Sequence, residues 1–264
     1  MVKNPFLSVN WIFNGKVRLV LVTGCTQLEP TVESKKAAVI DQLYTLHPNQ
    51  IFIDQASGIL KKSGFQVDVY RGAEINVDFY GRLPTLGYSV IIFRSHSGIQ
   101  TGTVHLKDGD KPTRRTYLFT NQPYSESTQV YQQLADRLAK VRVDDNNPWL
   151  FGITADYVTR SMQGKFDGAM AIMMGCSTLQ IDDLANAFVG KGASAYMGWD
   201  ASVGLDYVDH STIALLDRLF LENLPVETAV KETLAEKSTD PTWGARLLYY
   251  PDTSGARTLS EMTK

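Results

Sequence analysis

The chain has 264 residues, 44% of them hydrophobic and 20% charged, which is enough apolar material to bury the core of one large α/β domain. Its 26 basic and 28 acidic side chains leave a formal charge of −2, and Lys111, Arg114 and Arg115 form only a local basic cluster, so nucleic acid is not an expected partner. No stretch approaches the ~18 uninterrupted apolar residues of a spanning helix, so membrane contact would require an anchor.

In chain order, Lys16 and Arg18 precede the apolar run Leu19 to Val22, then Thr23-Gly24-Cys25 and a polar stretch from Thr26 to Lys36 that contains Pro30. Val22-Thr23-Gly24-Cys25 resembles the lipobox of a bacterial-type lipoprotein signal. That resemblance implies cleavage before Cys25, lipid on its sulfur, and a signal and tether over residues 1–35. The domain over residues 36–264 would then be extracytoplasmic and membrane-anchored. The other reading is an edge strand from Val17 to Val22, in a cytoplasmic protein.

Ala37 to Ile40 reads as a first buried strand. Asn49 to Ser63 reads as a helix with Phe52, Ala56, Ile59 and Leu60 on one face, Lys61 and Lys62 at its negative end, and Gly64 as its stop. Gln66 to Tyr70 is a second strand, and Leu83 to Gly87 turns the chain into an apolar strand that ends at His96. Residues 101–125 look like an inserted hairpin, Thr103 to Leu106 and Thr116 to Phe119 flanking the turn-rich Asp108 to Pro112. Val130, Leu134 and Leu138 mark a helix, Ala193 to Met197 a core strand, Ser211 to Asn223 a helix, and Arg246 to Tyr250 a closing strand. This alternation predicts a doubly wound or three-layer α/β/α domain.

Two apolar runs end in chemistry-bearing residues. Ala169 to Met174 runs into Gly175-Cys176, and Tyr88 to Phe93 into Arg94-Ser95-His96-Ser97-Gly98. In an open parallel sheet, ligands gather at the carboxyl ends of strands, so a thiol and an imidazole on two such ends can face one another as nucleophile and proton partner. A free thiol is only a few per cent ionised at neutral pH. A nearby imidazolium or helix N-terminus raises that fraction, and Ser177 and Thr178 are placed to cap a helix starting near Ile181. Taken singly, a buried cysteine is an inert small hydrophobe and a strand-end histidine a satisfied polar group.

The order of elements from Lys36 to Tyr250, with the Cys and His strand ends, resembles the clan CD cysteine peptidases: caspases, legumain, gingipains, clostripain and CHAT domains. The segment from Gly192 to Asp200, the helix through Phe220 and Pro225 to Ala229 look most like CHAT and gingipain-type sequences. The resemblance implies a caspase-like three-layer α/β/α sandwich with a mostly parallel central sheet and an inserted segment at about residues 101–165. It makes Cys176 the nucleophile and His96 the catalytic histidine. Oxyanion donors would come from Cys176 and from Ser97 or Gly98; relatives carry Gly directly after the His, where this chain has Ser97. The loop after the first strand and the turn after the strand following the nucleophile would wall the substrate pocket, with Asp41, Gln42, Trp199, Asp200 and Asp206. Asp200 at the pocket base would select a basic residue by charge-assisted hydrogen bonds. Its other role is to cap a turn or the next helix.

These readings predict an endopeptidase for protein or peptide substrates that works without a cofactor. His47, His105 and His210 have no metal-ligand spacing with one another or with Cys, so no zinc is expected, and no calcium loop, phosphate loop or dinucleotide fingerprint is present. Two cysteines in a chain of this length do not call for a disulfide. Trp149, Phe151 and Tyr157 are expected in the core or lining a pocket. Two alternatives stay open: a caspase-like scaffold that binds protein segments without cleaving them, and an enzyme using the same thiol on a non-peptide acyl group.

Overall fold

The computed structural model describes residues 35–106 and 109–262, without the side chains of residues 103–111; Cys25 and the lipobox expected there lie outside the described residues. β1 (Lys36–Asp41) is buried along Ala37 to Ile40, as a parallel strand covered on both faces requires. Asn49 caps α1 (Gln50–Lys62) by accepting the Phe52 N–H at 3.0 Å, and Gly64 reverses the chain in a left-handed conformation. β2 (Gln66–Arg71), α2 (Val77–Arg82) and β3 (Tyr88–Arg94) follow. Then come β4 (Ser97–Leu106), β5 (Gly109–Pro123), α3 (Val130–Leu134), β6 (Leu138–Val141), β7 (Leu150–Thr154) and α4 (Ala155–Arg160). The last third contains β8 (Met170–Met173), α5 (Asp183–Gly190), β9 (Ala195–Trp199), α6 (Leu205–Leu216) with a π turn at Asp217–Leu221, α7 (Val226–Lys237), β10 (Leu247–Tyr250) and α8 (Leu259–Met262).

The architecture is mixed α/β with two sheets. The larger has the order β10-β9-β8-β3-β1-β2 and is parallel except for β10, which runs antiparallel to β9. The smaller, β4-β5-β7-β6, is antiparallel throughout. Successive side chains of the large sheet enter two separate cores. Val39, Ile92, Ile172 and Met197 pack with Phe52, Leu60, Leu215 and Val226 of α1, α6 and α7. Ile40, Phe93, Met173 and Tyr196 pack with Phe79, Tyr157, Leu184 and Phe188 of α2, α4 and α5, and with Leu118, Phe151 and Ile153 of the small sheet. The inserted region therefore shares a core with the main sheet.

Several elements depart from the sequence expectation. In the hairpin Leu106 pairs with Gly109 and Thr103 with Pro112, while Leu118 pairs with Ser97, the residue after His96. The helix expected through Leu138 stops at Leu134. Asp136 takes φ +58°, and Leu138 begins β6, opposite Ile153. Val130 and Leu134, whose spacing suggested a buried face, are exposed. The helix expected from Ser211 starts at Leu205. Phe151 and Tyr157 are buried as expected, whereas Trp149 is 41% exposed, with Arg142 over its ring.

Candidate functional site

β3 and β8 are neighbours in parallel register, Phe93 opposite Met173, and the Met174 N–H donates to the Phe93 carbonyl at 2.9 Å. Equal steps beyond that pair bring His96 and Cys176 out at adjacent strand ends. Ser97 fastens the two ends together: its hydroxyl donates to the Cys176 carbonyl at 2.6 Å. Gly175 is required there, because a Cβ would come 2.2 Å from Ser97 Oγ and 2.6 Å from the Ser95 carbonyl.

Cys176 is a half-buried free thiol. Its sulfur accepts the Val203 N–H at 3.5 Å and donates to the Val203 carbonyl at 3.7 Å. The segment after Cys176 does not open the next helix. Ser177 takes a left-handed φ of +55° and donates its N–H to the Ala201 carbonyl, and the Leu179 N–H donates to the Trp199 carbonyl. Thr178 Oγ1 accepts the Trp199 N–H at 3.1 Å. The loop thus adds to the end of β9, and α5 begins only at Asp183, so the expected capping by Ser177 and Thr178 is replaced by pairing with the 199–203 turn.

His96 is placed by its main chain. Its N–H donates to Gln42 Oε1 at 2.9 Å, and its carbonyl accepts the Phe119 N–H at 3.0 Å. The ring packs 5.5 Å from Phe119 and edge-on, 5.9 Å, from His47. Its Nε2 is buried without a hydrogen-bond partner. Burial pushes the imidazole pKa down to about 4, with further lowering from charge on His47 and Arg94. No hydrogen bond joins this ring to the Cys176 sulfur.

The candidate pocket residues separate into distinct environments. Gln42 is buried and donates through Nε2 to Asn121 Oδ1 at 2.8 Å. Asp41 does not wall a cleft: it is wholly buried and its Oδ1 receives Arg94 Nη1 at 2.9 Å. Burial raises its carboxyl pKa, against the opposing pull of Arg94. Asp200 is held by Arg246, whose main-chain N–H and Nε donate to its two oxygens at 2.7 and 2.9 Å. That pairing is neither a pocket base nor the cap of a turn or of α6, whose N-cap is Gly204. Trp199 is buried at the end of β9, its ring edge-on to Tyr207. Asp206 is exposed in the first turn of α6, where its carbonyl receives His210 Nδ1.

Three participants carried no sequence signal of their own. Arg94 is a buried cation at the end of β3, bidentate to Asp209 at 2.9 Å and bonded to the His47 carbonyl. Tyr117 on β5 hangs its hydroxyl over Gly98, where a Cβ would come within 2.7 Å of it. Burial raises the Tyr117 pKa, and charge on Cys176 raises it further, so the hydroxyl is within electrostatic reach of the sulfur. His47 reaches the His96 ring from the loop between β1 and α1. Only an apolar run ending in a charge, as at Phe93-Arg94, could have flagged one of the three in advance.

Among the described residues, no group of three or more His, Cys, Asp or Glu is arranged to hold a metal ion, and no helix is long and apolar enough to cross a membrane. No protein-family model matches the sequence, and a search of curated proteins finds no match.

Proposed function

We propose that the protein is a cysteine endopeptidase with a caspase-like three-layer α/β/α domain, in which Cys176 attacks a peptide carbonyl and His96 handles the proton. The observation that carries this reading is the parallel register of β3 and β8, which delivers a thiol and a neutral imidazole to adjacent strand ends tied by Ser97. An imidazole held near pKa 4 is unprotonated at neutral pH, as a general base must be before it takes the thiol proton. The thiolate adds to the carbonyl carbon, and main-chain N–H groups around Cys176 and Gly98 receive the oxyanion. The imidazolium then returns the proton to the leaving amine, and water hydrolyses the thioester to free Cys176. A basic residue before the cleaved bond is not part of the proposal, because Asp200 is already paired with Arg246.

A thiol-reactive peptidyl probe tests the reading. Labelling should be lost in Cys176→Ala and reduced in His96→Ala. The second reading, a silent scaffold that binds protein segments, is favoured by one observation: the Cys176 sulfur bonds to Val203 rather than to His96. Absence of labelling by any peptidyl probe would select it.

A further inference from the structure

Beside His96, a half-enclosed cavity of about 250 Å³ lies between the loop after β1, the loop after β2, the end of β5 and the loop joining β6 to β7. Leu46, Ala73, Pro123, Val143, Pro148 and Leu150 contribute most of its wall, and no charged residue lines it. Leu46 and Val143 are 46% and 38% exposed, so apolar surface at this cavity is left in water.

Much of the polar lining is already committed, with the Thr45 hydroxyl and Asn147 Oδ1 left over at the open side. Gln42 Oε1 holds the His96 N–H and Gln42 Nε2 donates to Asn121 Oδ1, while Asn121 Nδ2 donates to the carbonyls of Gln42 and Gly72. A charged side chain entering this space would lose part of its water and find no ionic partner in the lining, whereas an apolar one would gain burial at little polar cost. The cavity has room for one side chain of leucine or methionine size and none for a folded segment. Its place is fixed relative to the chemistry, since the Gln42 amide touches both the cavity and the His96 main chain.

We propose that this cavity is a specificity pocket for an uncharged, apolar side chain of the polypeptide that reaches Cys176. The assignment rests on the peptidase reading for the identity of the ligand, but the pocket's chemistry can be measured separately. In the full chain carrying Cys176→Ala, N-acetyl-leucinamide and N-acetyl-lysinamide are titrated while main-chain amide signals are followed by NMR. Saturable shifts at Ala73, Asn121 and Val143 are expected with the leucine compound, at least tenfold tighter than with the lysine compound. Ala73→Trp, at the exposed rim, should abolish them while leaving the remaining spectrum unchanged.

Failure of the leucine compound to give saturable shifts at those residues, or equal affinity for the lysine compound, would overturn the pocket. If probe labelling proves independent of His96, the peptidase reading fails instead, and the titration still decides whether the cavity accepts apolar side chains. With both intact, a peptide library should show one position at which leucine or methionine is favoured at least tenfold over lysine. Val143→Asp should narrow that ratio.

Discussion

The Ser97 hydroxyl donates to the Cys176 carbonyl at 2.6 Å, so the two strand ends that carry the proposed dyad are locked by a bond between the residue after His96 and the nucleophile's own main chain. The lock is tight enough to fix the neighbouring residue type. Gly175→Ala would drive a Cβ to within 2.2 Å of Ser97 Oγ and 2.6 Å of the Ser95 carbonyl, and main chain cannot swing aside as a side chain can. The expected cost is about 1–3 kcal/mol of stability, read from urea denaturation, with slower labelling of Cys176. Adding Ser97→Ala should recover only part of the loss, because the Ser95 carbonyl remains. Full recovery by the double variant would contradict this geometry.

Arg94 and Asp209 form a buried bidentate pair that ties β3 to α6, and Asp209 Oδ2 also accepts Asn49 Nδ2 at 2.8 Å, reaching the cap of α1. Removing Asp209 takes away two of the three carboxylate bonds on the buried guanidinium and leaves Asp41 alone to neutralise it. Asp209→Ala is expected to destabilise the fold by about 3–5 kcal/mol, with a lower denaturation midpoint and an unchanged slope. Arg94→Met together with Asp41→Asn and Asp209→Asn should cost less than Asp209→Ala alone, since no charge is then left to be buried with fewer hydrogen bonds.

The Tyr117 hydroxyl overhangs Gly98 and makes no hydrogen bond to another described residue, so it is available to a group arriving at the thiol. Tyr117→Phe should leave stability within about 0.5 kcal/mol of the parent. If the hydroxyl steadies the developing oxyanion, the acylation rate with a peptidyl probe should fall about tenfold or more, with little change in the reaction of Cys176 with iodoacetamide. Equal effects on both reagents would assign the hydroxyl to thiol packing instead.

How much of this was legible in the sequence varied with the range of the interaction. The helix stop at Gly64 and the apolar runs Tyr88 to Phe93 and Ala169 to Met174 are local signals, and the structure forms α1, β3 and β8 there, with β3 ending at Arg94 rather than His96. Leu138 misled because an apolar residue four positions beyond Leu134 suits a helix, whereas pairing of Leu138 with Ile153 decided its state. The hairpin register was not legible from the turn-rich cluster, because Gly109 to Pro112 belong to β5, where Gly109 pairs with Leu106 and Pro112 with Thr103. The roles of Asp41 and Asp200 were illegible for a different reason. Their partners Arg94 and Arg246 lie 53 and 46 positions away, and no local pattern says which carboxylate will be neutralised.

The His96 imidazole gives the sharpest pH prediction. Its pKa is about 4 in the fold, mainly through burial and then through charge on His47 and Arg94, against about 6.5 for a free imidazole. Between those two values the unfolded chain binds a proton here and the folded chain does not. Stability at this site is therefore full above pH 6.5, declines as pH falls through the window, and levels off below about 4, for a total of about 3 kcal/mol. His96→Gln removes the group from both states, so its stability measured by urea denaturation should follow a shallower curve than the parent between pH 7 and 4. His47→Gln removes one source of the lowering, so the loss of His96-dependent labelling should begin at higher pH than in the parent. Parallel stability curves for the parent and His96→Gln across that range would show that the fold does not depress the imidazole pKa, and His96 would then titrate near its ordinary value.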